Sequence, residues 1–132
     1  MGACSAVTAA DMQHALGRRF GPGQETSLGS DSTCDYGAGN GLVSITVMRL
    51  REKLDIPAEI ESMKKTLEGS SVRMVSDLGS TAFFLDIAGA GTQLHVIRND
   101  RDYVMVSILG FGAPSAVSAA AERIARADLA RI

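Results

Sequence analysis

Leu42-Val43-Ser44-Ile45-Thr46-Val47-Met48-Arg49-Leu50 is the stretch from which the architecture of this chain is read. It is rich in β-branched residues and alternates with a period of two, which describes a strand rather than a helix. Val43, Ile45 and Val47 fall on one face; Ser44, Thr46 and Met48 fall on the other. A strand of this kind belongs inside a sheet that has one core face and one face of mixed polarity.

Working back toward the N-terminus, Gly37-Ala38-Gly39-Asn40-Gly41 reads as a hairpin loop, preceded by a short strand, Thr33-Cys34-Asp35-Tyr36. Gly29-Ser30-Asp31-Ser32 is the turn before it, and Gln24 to Leu28 is a candidate edge strand. Phe20-Gly21-Pro22-Gly23 is a turn cluster. Ahead of that, Thr8-Ala9-Ala10-Asp11 fits a capping box with aspartate as the acid, and Ala9, Met12 and Leu16 recur at helical spacing until Gly17 offers a left-handed stop.

Toward the C-terminus, Asp55-Ile56-Pro57 opens a helix with Ile60, Met63 and Leu67 on its apolar stripe, closed by Gly69. Ser70 to Val75 is a further strand candidate, and Asp77-Leu78-Gly79-Ser80 a turn before Ala82 to Ile87. Ala88-Gly89-Ala90-Gly91 forms a loop. Thr92 to Arg98 and Tyr103 to Leu109 make a hairpin through Asn99-Asp100-Arg101-Asp102. Ser115 to Ile132 reads as a long alanine-rich helix with Val117, Ala121, Ile124 and Ala125 toward the core and its arginines outside. Strands joined by short turns pair antiparallel. The expectation is one α+β domain over residues 1–132, a mostly antiparallel sheet of about six strands flanked by three helices, with helices on both faces.

The totals exclude several classes of function. With 132 residues, 45% of them hydrophobic and 21% charged, and a net charge of −2, the chain has the composition of an ordinary globular domain. It offers no basic surface for nucleic acid, and no apolar run long enough to span a bilayer. Gly37–Gly41 and Gly89–Gly91 lead into strands, so they do not cradle phosphate in front of a helix. Asn99–Asp102 lacks the glycine and the distal glutamate of a calcium loop. No serine, histidine and acid set assembles, so the expectation is a non-enzyme without cofactor or metal.

His14 is expected on the solvent side of its helix. His95 shares the mixed face with Gln93 and Ile97, and with Tyr103, Met48, Met105 and Phe84 it is the candidate ligand face of the protein. On this reading the chain is a non-enzymatic binding module for an envelope or extracellular partner. The alternative is a small-ligand or metal-binding protein centred on His95.

Cys4-Ser5-Ala6-Val7-Thr8-Ala9-Ala10-Asp11-Met12 with Ala15-Leu16-Gly17, Cys34-Asp35-Tyr36, Asp77-Leu78-Gly79-Ser80-Thr81-Ala82-Phe83-Phe84, Leu94-His95-Val96 and the closing Ile124-Ala125-Arg126 helix together resemble a family of small exported bacterial lipoproteins or secreted domains of unassigned function. Its loose pattern is Cys-Ser-x-x-Thr, then Cys-x-Tyr, then Leu-Gly-x-x-Ala-Phe. Ser80 stands where an acid is usual, and Val7 where leucine is common. The resemblance implies a PsbP/Mog1-like sandwich, a periplasmic, secreted or envelope location with the signal peptide removed, and a disulfide between Cys4 and Cys34. It implies no activity. The residues themselves leave two readings of Cys4 open. One is the bridge, which would tie the leading segment to the sheet; the other is a lipid anchor, because Gly2-Ala3-Cys4 resembles the small residues that precede a lipoprotein cysteine. Residues 1–3 read as an expression scar or the remnant of a leader.

Overall fold

The computed structural model describes residues 2–132, so the reading of residues 1–3 falls in part on Met1, which lies outside the described residues. The elements in chain order are α1 (Ala3–Ala6), α2 (Ala9–Leu16), β1 (Gln24–Leu28), β2 (Asp31–Ala38), β3 (Gly41–Arg49), α3 (Ile56–Thr66), β4 (Ser70–Val75), β5 (Thr81–Ile87), β6 (Gly91–Arg98), β7 (Asp102–Leu109) and α4 (Pro114–Leu129). The class is α+β, as expected, with seven strands rather than about six and a fourth, one-turn helix at the start.

All seven strands form one antiparallel sheet in the order β1-β2-β3-β7-β6-β5-β4. It is built from two meanders. β1 to β3 run outward to inward, α3 carries the chain to the far edge, and β4 to β7 return to lay β7 beside β3. Each short turn closes an antiparallel pair, and α3 is the one long connection the topology needs.

The alternation read in β3 holds across the sheet. On the first face Cys34, Val43, Ile45, Phe84, Leu94, Val96, Val104, Val106 and Ile108 are buried in one cluster with Met12 of α2 and Val117, Ala121, Ile124 and Ala125 of α4. Each buried valine, leucine or isoleucine contributes roughly 1.5–3 kcal/mol, so this face supplies most of the driving force for folding. The alanines of α4 let its backbone approach the strands closely. The second face is covered only in part, beside α3, whose Ile60 and Met63, like Leu67 just past its end, are half-buried and which has no fully buried residue.

A four-residue helix cannot hold itself together. α1 is held by tertiary bonds instead: the Cys4–Cys34 disulfide, the Ala3 N–H donating to Ser32 Oγ at 2.9 Å, the Tyr36 hydroxyl donating to the Val7 carbonyl at 2.8 Å, and Arg131 donating to the Ala6 carbonyl at 2.9 Å. α2 has the capping box that the sequence predicts. The Thr8 N–H donates to Asp11 Oδ2 at 2.8 Å, the Asp11 N–H donates back to Thr8 Oγ1 at 3.2 Å, and Gly17 closes the helix at φ 68°.

Gly91, read as loop from sequence, is the first residue of β6. Its φ is 153°, and a Cβ there would be driven into the carbonyl oxygen of Ile108 on β7. Neither strand can retreat without breaking the β6–β7 ladder. Gly91→Ala is therefore expected to cost more than about 4 kcal/mol in chemical denaturation, or to leave no folded protein. Gly89→Ala, in open space at φ 76°, should cost only about 1 kcal/mol. Equal costs for the two would refute the close approach.

Candidate functional site

The alternation of β6 directs Gln93, His95 and Ile97 to the second face, as the sequence predicts. His95 pairs across the sheet with Phe83 of β5 and Met105 of β7, and Tyr103 pairs with Ile97 and with Met48 of β3. His95, Tyr103, Met48 and Met105 are thus brought together. Phe84 is not: it is on the opposite face, in the main core opposite Leu94. The aromatic ring on the histidine belongs to Phe83, stacked at a centroid distance of 4.8 Å and 9° between planes. In the run Phe83-Phe84, composition cannot say which ring faces the histidine; the pairing register decides it.

His95 is closed in. Its Nδ1 lies 2.6 Å from the Tyr103 hydroxyl and its Nε2 lies 3.3 Å from Gln93 Oε1. Since Oε1 can only accept, Nε2 carries the proton, and Nδ1 accepts from the tyrosine. Only 2% of the residue is exposed, and burial pushes its pKa down to about 4, so the ring is neutral at physiological pH. Burial also raises the Tyr103 pKa, with the charge of Glu59 on α3 adding to it. Both ring nitrogens are spoken for. The site is a hydrogen-bonded core triad with no free lone pair for a ligand.

Beyond the triad the second face opens. Thr33 and Thr46 share a hydroxyl bond at 3.1 Å, Ser44 donates to Asp35 at 2.5 Å, and Met48 and Met105 are half-buried beside them. Leu42 is 41% exposed on the same face. This half of the sheet, across β2, β3 and β7, is an array of hydroxyls with a few soft apolar side chains.

Elsewhere several ionisable groups are engaged in structure. Arg131 holds the Asp11 carboxyl below its ordinary pKa, joining the tail of α4 to α2, and Arg73 does the same for Asp86 while lying over the Phe84 ring at 4.5 Å. Among the described residues there is no group of three or more His, Cys, Asp or Glu that could hold a metal ion, and no helix long and apolar enough to cross a membrane. His14 is exposed on α2. Cys4 and Cys34 are joined, so Sγ of Cys4 is occupied and the condition for an anchor there is not met.

One residue escaped the sequence reading. Asp128 of α4 is fully buried, both its carboxylate oxygens lack a hydrogen-bond partner among the described residues, and desolvation raises its pKa to about 6 against the pull of Arg131 and Arg98. Its place on the stripe Val117, Ala121, Ile124, Asp128 was the available signal.

The fold and this face define an α+β protein with one sheet face fully layered by helices, the other half covered, and its N-terminal segment tied to the sheet by a disulfide. No protein-family model, curated protein or solved structure matches the chain.

Proposed function

We propose that the protein is an exported, non-enzymatic binding module that receives an envelope or extracellular protein on the open half of its second sheet face. The observation that carries this reading is the uneven covering of the sheet. His95 and Tyr103 are buried, whereas Thr33, Thr46, Ser44 and Asp35 with Met48 and Met105 are only half-buried and Leu42 is exposed. A mixed surface of that kind suits a protein partner better than a small ligand, which needs concavity. The disulfide supports export, because such bridges form and persist in oxidising compartments. The resemblance to exported lipoproteins and secreted domains supports the same compartment. The alternative, a metal or small ligand held by His95, draws no support from the geometry, since both ring nitrogens are bonded inside the core.

A photo-crosslinking residue at Thr46, compared with one at the exposed Ala119 on the outer side of α4, tests the reading in the producing cells. The expected result is one discrete protein adduct from Thr46 that Ala119 does not give. Identical adduct patterns from both positions, or none from Thr46, would overturn it.

A further inference from the structure

Ten arginines are spread along the sequence, and the fold gives six of them a partner. Arg73, Arg98 and Arg131 hold carboxylates, Arg123 and Arg126 donate to backbone carbonyls, and Arg18 lies over the Phe111 ring. Among the described residues that leaves Arg19, Arg49, Arg51 and Arg101. Three of these four meet at one place. Arg49 ends β3, Arg51 follows it, and Arg101 is in the β6–β7 turn; with Ser30 and Leu50 they line a cleft of about 390 Å³ at one end of the sheet.

The cleft is held from behind. The Leu50 N–H donates to the Arg101 carbonyl at 2.6 Å, which locks together the two segments that carry the arginines. A second hollow, about 210 Å³, shares Ser30 and Arg49 and is lined further by Val47, Met48, Asp102 and Ile132. The acids nearby do not neutralise the group. Asp102 is taken by Arg98 at 3.0 Å, and although Glu52 and Asp100 adjoin the arginines in sequence, neither makes an ion pair with them among the described residues. In a chain of net charge −2, three unpaired guanidinium groups around one concavity repel one another, and an anion placed between them relieves that repulsion.

We infer that the cleft of Arg49, Arg51 and Arg101 is a binding site for a phosphate-bearing anion. Guanidinium forks match phosphate oxygens in paired hydrogen bonds, and three forks arriving from two separate segments suit a tetrahedral group with several oxygens better than a planar carboxylate. Ser30, whose hydroxyl donates to Asp31 Oδ1 at 3.5 Å, is on the same wall. The phosphate can belong to a soluble compound or to a lipid headgroup, since both present the same oxygens. The site is at the end of the sheet, and it does not depend on the partner assigned to the second face.

The test uses the whole chain with its disulfide intact. Calorimetric titration with pyrophosphate reads the soluble source; co-sedimentation with phosphatidylglycerol vesicles, against phosphatidylcholine vesicles, reads the headgroup. Binding in at least one arm is expected, weakening as salt rises. Arg49→Gln, Arg51→Gln and Arg101→Gln should each weaken it about tenfold, the order expected for losing one charge-assisted bond. Arg19→Gln, which removes the remaining unpartnered arginine, should leave it unchanged. Pyrophosphate binding alone assigns a soluble ligand, and vesicle binding alone assigns a headgroup. No binding in either arm overturns the site. So does an Arg19→Gln loss as large as the others, which would mean diffuse charge attraction.

Discussion

Between pH 6.5 and pH 4 the wild-type protein is expected to show little net change in stability from two large and opposed contributions, those of His95 and Asp128. The folded pKa of His95 is lowered from 6.5 to about 4 by burial, so the folded state binds fewer protons than the unfolded chain in this window. Its contribution is complete above pH 6.5 and is lost as the pH falls toward 4. The folded pKa of Asp128 is raised from 3.8 to about 6 by desolvation, with Arg131 and Arg98 opposing the shift. Its contribution has the other sign, complete below pH 3.8 and lost as the pH rises through 6. Each shift corresponds to roughly 3 kcal/mol. Asp11 and Asp86, whose folded values lie below 3.8, lose most of their contribution below pH 4 and add only a small loss at the acid end of the window.

Single substitutions separate the two. Asp128→Asn removes the penalty of a charge buried without a partner, so the variant should be more stable than wild type at pH 7.5 by about 1–3 kcal/mol and should lose stability steeply on acidification to pH 4. His95→Gln should be less stable than wild type at neutral pH yet gain stability on acidification toward pH 4. Urea unfolding across that range measures both. Parallel pH profiles for wild type and the two variants would show that neither group titrates as its surroundings dictate.

Cleavage of the Cys4–Cys34 bridge is the second large effect. The bridge closes a loop with a sequence separation of 30, and restoring that freedom to the unfolded chain is worth about 3–4 kcal/mol. For a chain of this length the loss translates into a fall in Tm of roughly 10 °C or somewhat more. A double Cys4→Ser, Cys34→Ser variant should show it by calorimetry, with amide protection lost first in α1. The Tyr36 and Arg131 bonds to the Val7 and Ala6 carbonyls remain and should keep α2 and the sheet folded. A variant with unchanged Tm would mean that those bonds alone hold the N-terminal segment.

Much of the sheet was legible because its signals are local. The period-two pattern of Leu42–Leu50, the hairpin around Asn99 and Asp100, both with positive φ, and the Thr8–Asp11 box each depend on residues within a few positions of one another. α1 left no signal of its own, since a one-turn helix exists only through what it is tied to. The ligand face was legible in part. Parity alone placed His95, Tyr103, Met48 and Met105 together, whereas Phe84 fell on the wrong side because the register of β5 against β6 is set by pairing.

By itself the amino-acid sequence determined the class of fold, the antiparallel turns, the stripe of α4 that meets the sheet and the two cysteines available for one bridge. Only the tertiary structure decided the rest. It placed Phe83 on His95, gave both histidine nitrogens a partner, enclosed Asp128 without one, and left Arg49, Arg51 and Arg101 facing a shared cleft. Local patterns are written in spacing, which the backbone repeats every two or 3.6 residues. Burial, pairing and convergence join residues tens of positions apart, and they exist only once β7 has closed against β3 and α4 has settled on the face they share.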